Sequence, residues 1–296
     1  RTVYDYEIHY TDMSEDIRQA RYYITETGST RFEYLPVGFY VLLEEFTPEG
    51  YATADPMLIT VEDRGHAEAT QEYAMEDHPL TMDFGKVHIT GGKEVDGAKL
   101  EIHSVDEYGI MEASPSNAWI SGRDGSYTEE EQEAGLIPNG FEPGDLKPHR
   151  IEYLPAGDYV LIETTTPYGF LQSVNISFTV MDTGEVQYTE MIDEIPDGRL
   201  IIEKTDSDDP DEHLAGAEFT LTNKYTGEVV DVLITDETGC ATSSNAIPIG
   251  RMNEQGKFQP FTYQIQETDA PMDYMLNPIP HEFQFQYEDE LTPDIY

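Results

Sequence analysis

A lysine and several carboxylates lie at strand positions whose side chains point toward the protein core. Side chains alternate across a β-strand, so residues two apart share a face. In the segment 263–267, Glu267 shares its face with a tyrosine and an isoleucine, while two glutamines occupy the other face. The same alternation predicts that Lys204, Asp77 and Asp193 point inward. The chain is therefore expected to bury an amine and carboxyl groups together.

Two kinds of chemistry explain a buried lysine in a domain that also buries acids. Burying an isolated charge is costly, so the groups must either pair or lose their charge. The first explanation is a buried ion pair. The second is condensation of the amine and the carboxyl group to an amide, because an apolar environment favours the neutral amine and the protonated acid that this reaction needs. Strand alternation alone leaves both explanations open.

A strand segment that recurs three times divides the chain into domains. The copies are Tyr40-Val-Leu-Leu-Glu44, Tyr159-Val-Leu-Ile-Glu163 and Tyr263-Gln-Ile-Gln-Glu267, and a proline stands four residues after each glutamate. The glutamates are 119 and 104 residues apart, which suits small β-sandwiches. Turn residues then place the domains at residues 1–79, 80–197 and 198–296, with a loop insertion at about 106–150. The predicted fold class is all-β, with three tandem sandwiches.

The ordered set of motifs resembles the B-type repeat domains of Gram-positive collagen adhesins and pilins. The set comprises a lysine that ends the first strand, Gly-Ala in the second, Tyr-x-Leu-x-Glu-x-x-x-Pro-x-Gly, and Met-x-Asp in the last strand. The resemblance implies immunoglobulin-like, prealbumin-like sandwiches in which a first-strand lysine and a last-strand Asp or Asn form an isopeptide bond. In the middle domain it implies that Lys86 and Asp193 are the bond partners and that Glu163 promotes the reaction.

The outer domains match this pattern less completely. In the third domain the resemblance assigns Lys204 and Glu267, with either Asp289 or a residue beyond Tyr296 as the partner of the lysine. The third domain is then expected to lack its last strand. In the first domain it assigns Glu44 and Asp77, but no lysine precedes position 86. The first domain is therefore expected to lack its first strand.

The composition narrows the classes of partner. The chain has 60 acidic and 16 basic residues and a formal net charge of -44. Nucleic acids and anionic membrane surfaces are bound through Lys and Arg, so neither is an expected partner. No apolar run approaches the length of a membrane-spanning helix. The single cysteine, Cys240, cannot form an internal disulfide, so a secreted chain of this kind needs another covalent device.

No metal or cofactor is expected from the sequence. The eight histidines lack metal-ligand spacing. Four aspartates cluster within residues 206–211, but the glycine and distal glutamate of a helix-loop-helix calcium site are missing, which favours a solvated loop. Motifs for nucleophilic hydrolysis and for phosphate binding are also missing, so catalysis on an external substrate is not expected.

The predicted function is a structural stalk or pilus-like shaft in a secreted, wall-attached bacterial surface protein. Its direct partners would be neighbouring domains of that protein, and a distal tip would contact a host extracellular protein or glycan. The alternative is a binding module that contacts such a ligand through the insertion around Trp119, although a tryptophan there more often fills a core. A third class is a non-catalytic domain appended to an extracellular hydrolase.

Overall fold

The chain folds into β-strands and loops. The computed structural model describes the strands Tyr4–Tyr10 and Arg21–Thr25, residue 32, and residues 35–65, 71–122 and 146–296. These residues contain no helix, which confirms the predicted all-β class. Buried apolar side chains form three separate clusters along the chain, and each is centred in one of the three predicted domains.

The described residues of the first domain form one antiparallel sheet of four strands in the order β2-β1-β3-β4. The strands are β1 (Tyr4–Tyr10), β2 (Arg21–Thr25), β3 (Gly38–Phe46) and β4 (Met57–Val61). The central strand β3 carries the first copy of the repeated segment.

The middle domain pairs a four-stranded sheet, β10-β9-β6-β7, with a three-stranded sheet, β11-β5-β8. The strands are β5 (Thr81–His88), β6 (Lys99–Val105), β7 (Asn117–Ile120), β8 (His149–Glu152), β9 (Gly157–Thr165), β10 (Ile176–Val180) and β11 (Gln187–Asp193). The first strand β5 and the last strand β11 run parallel, with Met191 opposite Lys86. The two ends of the domain are therefore side by side.

The third domain repeats this arrangement with shorter strands. Its larger sheet has the order β15-β14-β20-β21, and its first strand β12 runs parallel to β22. The strands are β12 (Asp197–Gly198), β13 (Ile201–Glu203), β14 (Glu218–Asn223), β15 (Val229–Ile234), β16 (Cys240–Thr242), β17 (Ile247–Pro248), β18 (Gly250–Met252), β19 (Phe258–Pro260), β20 (Tyr263–Asp269), β21 (His281–Phe283) and β22 (Asp294–Ile295).

Alternation along the repeated strands buries the glutamate of each copy. In β3 and β9 the tyrosine, the leucine two residues later and the glutamate are buried, while the residues between them are partly exposed. Glu44, Glu163 and Glu267 retain only 8%, 2% and 4% of their exposure. The inward orientation of these acids follows from the period of the strand, because each carboxyl shares the face of a buried aromatic ring.

The turn that follows each repeated strand has the same backbone in all three domains. Its fourth residue donates a backbone hydrogen bond to the carbonyl of its proline, from Tyr51 to Pro48, from Phe170 to Pro167 and from Tyr274 to Pro271. The third residue of each turn has a positive φ, which glycine adopts without strain in the first two copies and Asp273 adopts in the third.

The first two turns lie against the next domain. A Cβ on Gly50 would stand 2.6 Å from the carbonyl oxygen of Tyr153, and a Cβ on Gly169 would enter the ring of Phe258. Only glycine therefore permits either close approach. The Tyr287 hydroxyl also donates to the carbonyl of Phe170 at 2.9 Å, across the joint between the middle and third domains.

Candidate functional site

A buried lysine lies between two carboxylates in the middle domain. Lys86 Nζ is 3.1 Å from Glu163 Oε1 and in contact with Asp193 Oδ1, and none of the three side chains is exposed to solvent. Lys86 shares a face of β5 with Met82 and Phe84, so alternation directs its amine into the core. The parallel pairing of β5 and β11 brings Asp193 to the same depth. The three residues that the sequence assigned to one site therefore meet.

Ser173 completes this cluster and was not identified from the sequence. Its backbone N–H donates to Glu163 Oε2 at 2.8 Å, and its hydroxyl accepts from Lys86 Nζ at 3.0 Å. The same hydroxyl stands 2.6 Å from both Asp193 Oδ1 and the Ile192 carbonyl, to either of which it can donate. The sequence signal is positional, since Ser173 is the tenth residue after the motif glutamate.

The surroundings of Asp193 shift its protonation equilibrium toward the neutral acid. Burial raises the pKa of Asp193 to about 6, repulsion from Glu163 adds to this rise, and the Lys86 ammonium opposes it. A protonated Asp193 is the electrophile that condensation with an amine requires, because a carboxylate resists attack. Because the two groups are already in contact, the reaction does not have to overcome the entropic cost of bringing them together.

The motif glutamate is held in the same way in every domain. The backbone N–H ten residues later donates to its Oε2, from Ala54 to Glu44 at 2.9 Å and from Asn277 to Glu267 at 2.8 Å, as Ser173 does to Glu163. Within the described part of the chain, Oε1 of each of the three glutamates is buried without a hydrogen bond. The repeat therefore fixes one oxygen of the carboxyl group, and in the middle and third domains the other oxygen is the one nearer the lysine.

The third domain has the lysine and the glutamate but not the predicted aspartate. Lys204 Nζ is 3.5 Å from Glu267 Oε1, and the Lys204 side chain keeps 25% of its exposure, so it is only partly buried. Asp289 is exposed and accepts from the Leu291 N–H at 2.8 Å and from the Thr292 hydroxyl at 2.8 Å. These bonds lower the pKa of Asp289, which favours its charged form.

Strand register explains why the assignment of Asp289 as the partner of Lys204 was wrong. The parallel strands β12 and β22 pair Gly198 with Ile295. Lys204 lies six residues after Gly198, whereas Asp289 lies six residues before Ile295. In parallel strands these two positions lie at opposite ends of the pair.

The first domain has two acids near each other. Glu44 is buried, and desolvation followed by repulsion from Asp77 raises its pKa. Desolvation also raises the pKa of Asp77. The two acids that the sequence assigned to this domain are thus close enough to interact. Residues 1–85 contain no lysine, so they provide no lysine amine to pair with these acids.

Trp119 lies in the core of the middle domain, which agrees with the expectation that a tryptophan here fills a core and contradicts the alternative that it contacts a ligand. It retains 1% exposure, packs against Phe84 at a centroid distance of 5.2 Å and stacks on His149 at 4.5 Å. Strand β7, which contains it, pairs with β6, so this part of the predicted insertion belongs to the sheet. Residues 123–145 of the insertion lie outside the described residues.

The acidic loop at 206–211 has local hydrogen bonds. The Asp206 carboxyl accepts from the Asp208 N–H at 2.7 Å and from the Tyr274 hydroxyl at 2.9 Å. Among the described residues, no group of three or more His, Cys, Asp or Glu is arranged to hold a metal ion. The same residues contain no helix long and apolar enough to cross a membrane.

The fold and the family comparisons agree on the class of domain. Residues 198–295 match the family model "SpaA: Prealbumin-like fold domain". The prealbumin-like fold predicted from the motifs is thereby confirmed, and the third domain is a domain of this type. No curated protein matches the chain.

One solved structure has a fold similar to that of this chain. The Bacillus anthracis TIE protein is 22% identical, with a TM-score of 0.53, and the match covers 99% of this chain and 46% of that one. The chain thus spans less than half the length of that protein. Similarity also extends to a streptococcal ancillary pilin (13% identity, TM-score 0.34, covering 100% of this chain and 92% of that one). The pilus adhesin SpaC of Lactobacillus rhamnosus GG is 16% identical (TM-score 0.36, covering 95% and 36%).

Proposed function

We propose that this chain is a stalk segment of a Gram-positive surface protein, in which an amide between Lys86 and Asp193 ties the middle domain. The observation that carries the proposal is the fully buried triad, in which Lys86 Nζ contacts Asp193 Oδ1 and lies 3.1 Å from Glu163 Oε1. The prealbumin-like fold of residues 198–295 supports a pilin-like structural role.

The reaction is a condensation. Neutral Lys86 Nζ attacks Cγ of protonated Asp193, a C–N bond forms, and the Asp193 hydroxyl leaves as water. Glu163 accepts a proton from the nitrogen and returns it to the leaving hydroxyl, which is general acid–base catalysis within hydrogen-bond reach. Atoms balance, since one amine and one acid give one amide and one water, and no cofactor takes part.

The position of the bond suits a load-bearing role. Lys86 lies on the first strand of the domain and Asp193 on the last, and these strands are parallel neighbours. Tension that enters near Leu80 and leaves near Pro196 would pass through the amide, so residues 87–192 would carry little of it. The bond would thus do for this domain what a disulfide does in other extracellular proteins.

The net charge of the chain and its proposed partners support a location outside the cell. A net charge of -44 keeps the chain soluble and opposes association between copies. We place the protein at the cell wall, with neighbouring domains of the same surface protein as its direct partners and a host protein or glycan as the contact of a distal tip.

The mass of the intact purified chain tests the proposal. We expect the wild-type mass to be lower than the sequence mass by one water molecule, and Glu163→Ala to restore the full sequence mass. Tandem mass spectrometry of a digest should find the peptides of Lys86 and Asp193 joined. A wild-type mass equal to the sequence mass would show that the triad is an ordinary buried ion pair.

A further inference from the structure

Ser173 bridges the two groups that must exchange a proton before an amide can form. We propose that Ser173 is a further catalytic residue, whose hydroxyl relays a proton from Lys86 Nζ to the Asp193 carboxyl. This inference rests on the proposed crosslink and adds a step to it. Ser173 Oγ accepts from Lys86 Nζ at 3.0 Å and lies 2.6 Å from Asp193 Oδ1, so the donor, the relay and the acceptor form one continuous path.

The proton transfer converts unreactive charged groups into reactive neutral ones. Lys86 as an ammonium has no free electron pair, and Asp193 as a carboxylate resists attack. In the relay, an Nζ proton moves to Ser173 Oγ as the hydroxyl proton moves to Asp193 Oδ1. The serine ends with one proton, as it began, while the pair becomes amine and carboxylic acid. The condensation then releases one water.

The relay differs from direct transfer in where it leaves the proton. A proton passed straight from Lys86 Nζ to Asp193 Oδ1 would lie between the nucleophile and the carboxyl group that it attacks. A proton delivered by Ser173 arrives at Oδ1 from the side of the serine, so the amine keeps its position. Between transfers the hydroxyl can donate to the Ile192 carbonyl, also 2.6 Å away, which keeps an oxygen lone pair available for the lysine.

The other two domains show that the backbone hydrogen bond to the motif glutamate does not require a hydroxyl at this position. The equivalent positions are Ala54 and Asn277, and both donate their backbone N–H to the motif glutamate as Ser173 does. Alanine is therefore compatible with the local backbone and with the glutamate hydrogen bond. Ser173→Ala should remove the hydroxyl alone.

The rate of mass loss after synthesis tests the relay. Full chains made in a cell-free system would be quenched at intervals and weighed, for the wild type, Ser173→Ala and Ser173→Thr. General acid–base groups typically contribute about 100-fold or more to rate, so we expect Ser173→Ala to slow the loss of water by about 100-fold. Ser173→Thr keeps the hydroxyl and should react at close to the wild-type rate.

Two controls distinguish the failure of this inference from that of the proposed function. If the wild type loses no water, the crosslink itself is wrong. If the wild type loses water and Ser173→Ala does so equally fast, the relay is wrong while the crosslink stands. Thermal unfolding in a Glu163→Ala background, where no bond forms, should show that Ser173→Ala leaves the domain folded. Equal slowing by Ser173→Thr would indicate a packing effect and would also overturn the relay.

Discussion

Replacing Glu163 by glutamine should prevent the proposed covalent tie while leaving the packing of the middle domain in place. Glutamine has the same shape as glutamate, and its amide oxygen can still accept the hydrogen bond from the Ser173 N–H, but it cannot relay protons. A bond between Lys86 and Asp193 closes a loop of 108 residues. By the chain-entropy relation for crosslinks, such a loop stabilises the folded state by about 5 kcal/mol.

This free energy corresponds to a large shift in melting temperature. For a domain of 118 residues, 1 kcal/mol changes the melting temperature by about 4 °C, so Glu163→Gln should lower that of the middle domain by about 20 °C.

Calorimetry paired with intact mass decides the outcome. Glu163→Gln should have a mass without loss of water and an early transition for the middle domain. Glu185→Gln, at an exposed position, should keep both the wild-type mass change and the wild-type transition within about 0.5 kcal/mol. A Glu163→Gln chain that lacks the amide yet melts at the wild-type temperature would refute the claim that the bond stabilises this domain.

Three further predictions follow from buried contacts. Burial lowers the pKa of His149 from 6.5 to about 4, so the unfolded chain takes up this proton first as the pH falls. Stability should then decrease by about 3 kcal/mol between pH 7 and pH 4 in urea titrations, and His149→Phe should flatten that profile. Gly169→Ala should open the joint to the third domain, because the new Cβ would meet Phe258, and small-angle scattering should detect this change. Gly109 has a similar positive φ but open space around it, so Gly109→Ala should leave the scattering unchanged. Trp119→Ala should cost about 4 kcal/mol of unfolding free energy, and a loss of ligand binding without loss of stability would contradict its place in the core.

Strand periodicity correctly predicted that two acids point inward. Glu267 and Asp193 are buried as alternation requires, with exposures of 4% and 0%. Asp77, for which the same pattern predicted an inward direction, is only partly buried and lies outside the described strands. The prediction for Lys204 holds in part, because its side chain reaches Glu267 but keeps 25% exposure near the end of a short strand. Alternation depends only on local backbone geometry, which explains its success here.

Contacts between distant segments could not be read from the same pattern. Ser173 joins the site because the loop after β9 folds back so that its N–H meets Glu163. The Pro-x-Gly motif marks this turn, but it does not show which later residue reaches the glutamate. The parallel register of β12 and β22 separates Asp289 from Lys204, and the sequence pattern does not show this register. Register is set by hydrogen bonds between strands far apart in the chain, and composition gives no measure of it.

The sequence by itself determined the all-β class, the threefold repeat and the inward direction of Glu267 and Asp193, because each follows from the two-residue period of a strand or from recurrence of a segment. Only the tertiary structure decided that Lys86, Glu163 and Asp193 meet at one point, that Trp119 fills a core, and that glycine turns seat one domain against the next. Those outcomes depend on packing between sheets and between domains, where distances of a few tenths of an ångström decide whether groups can react.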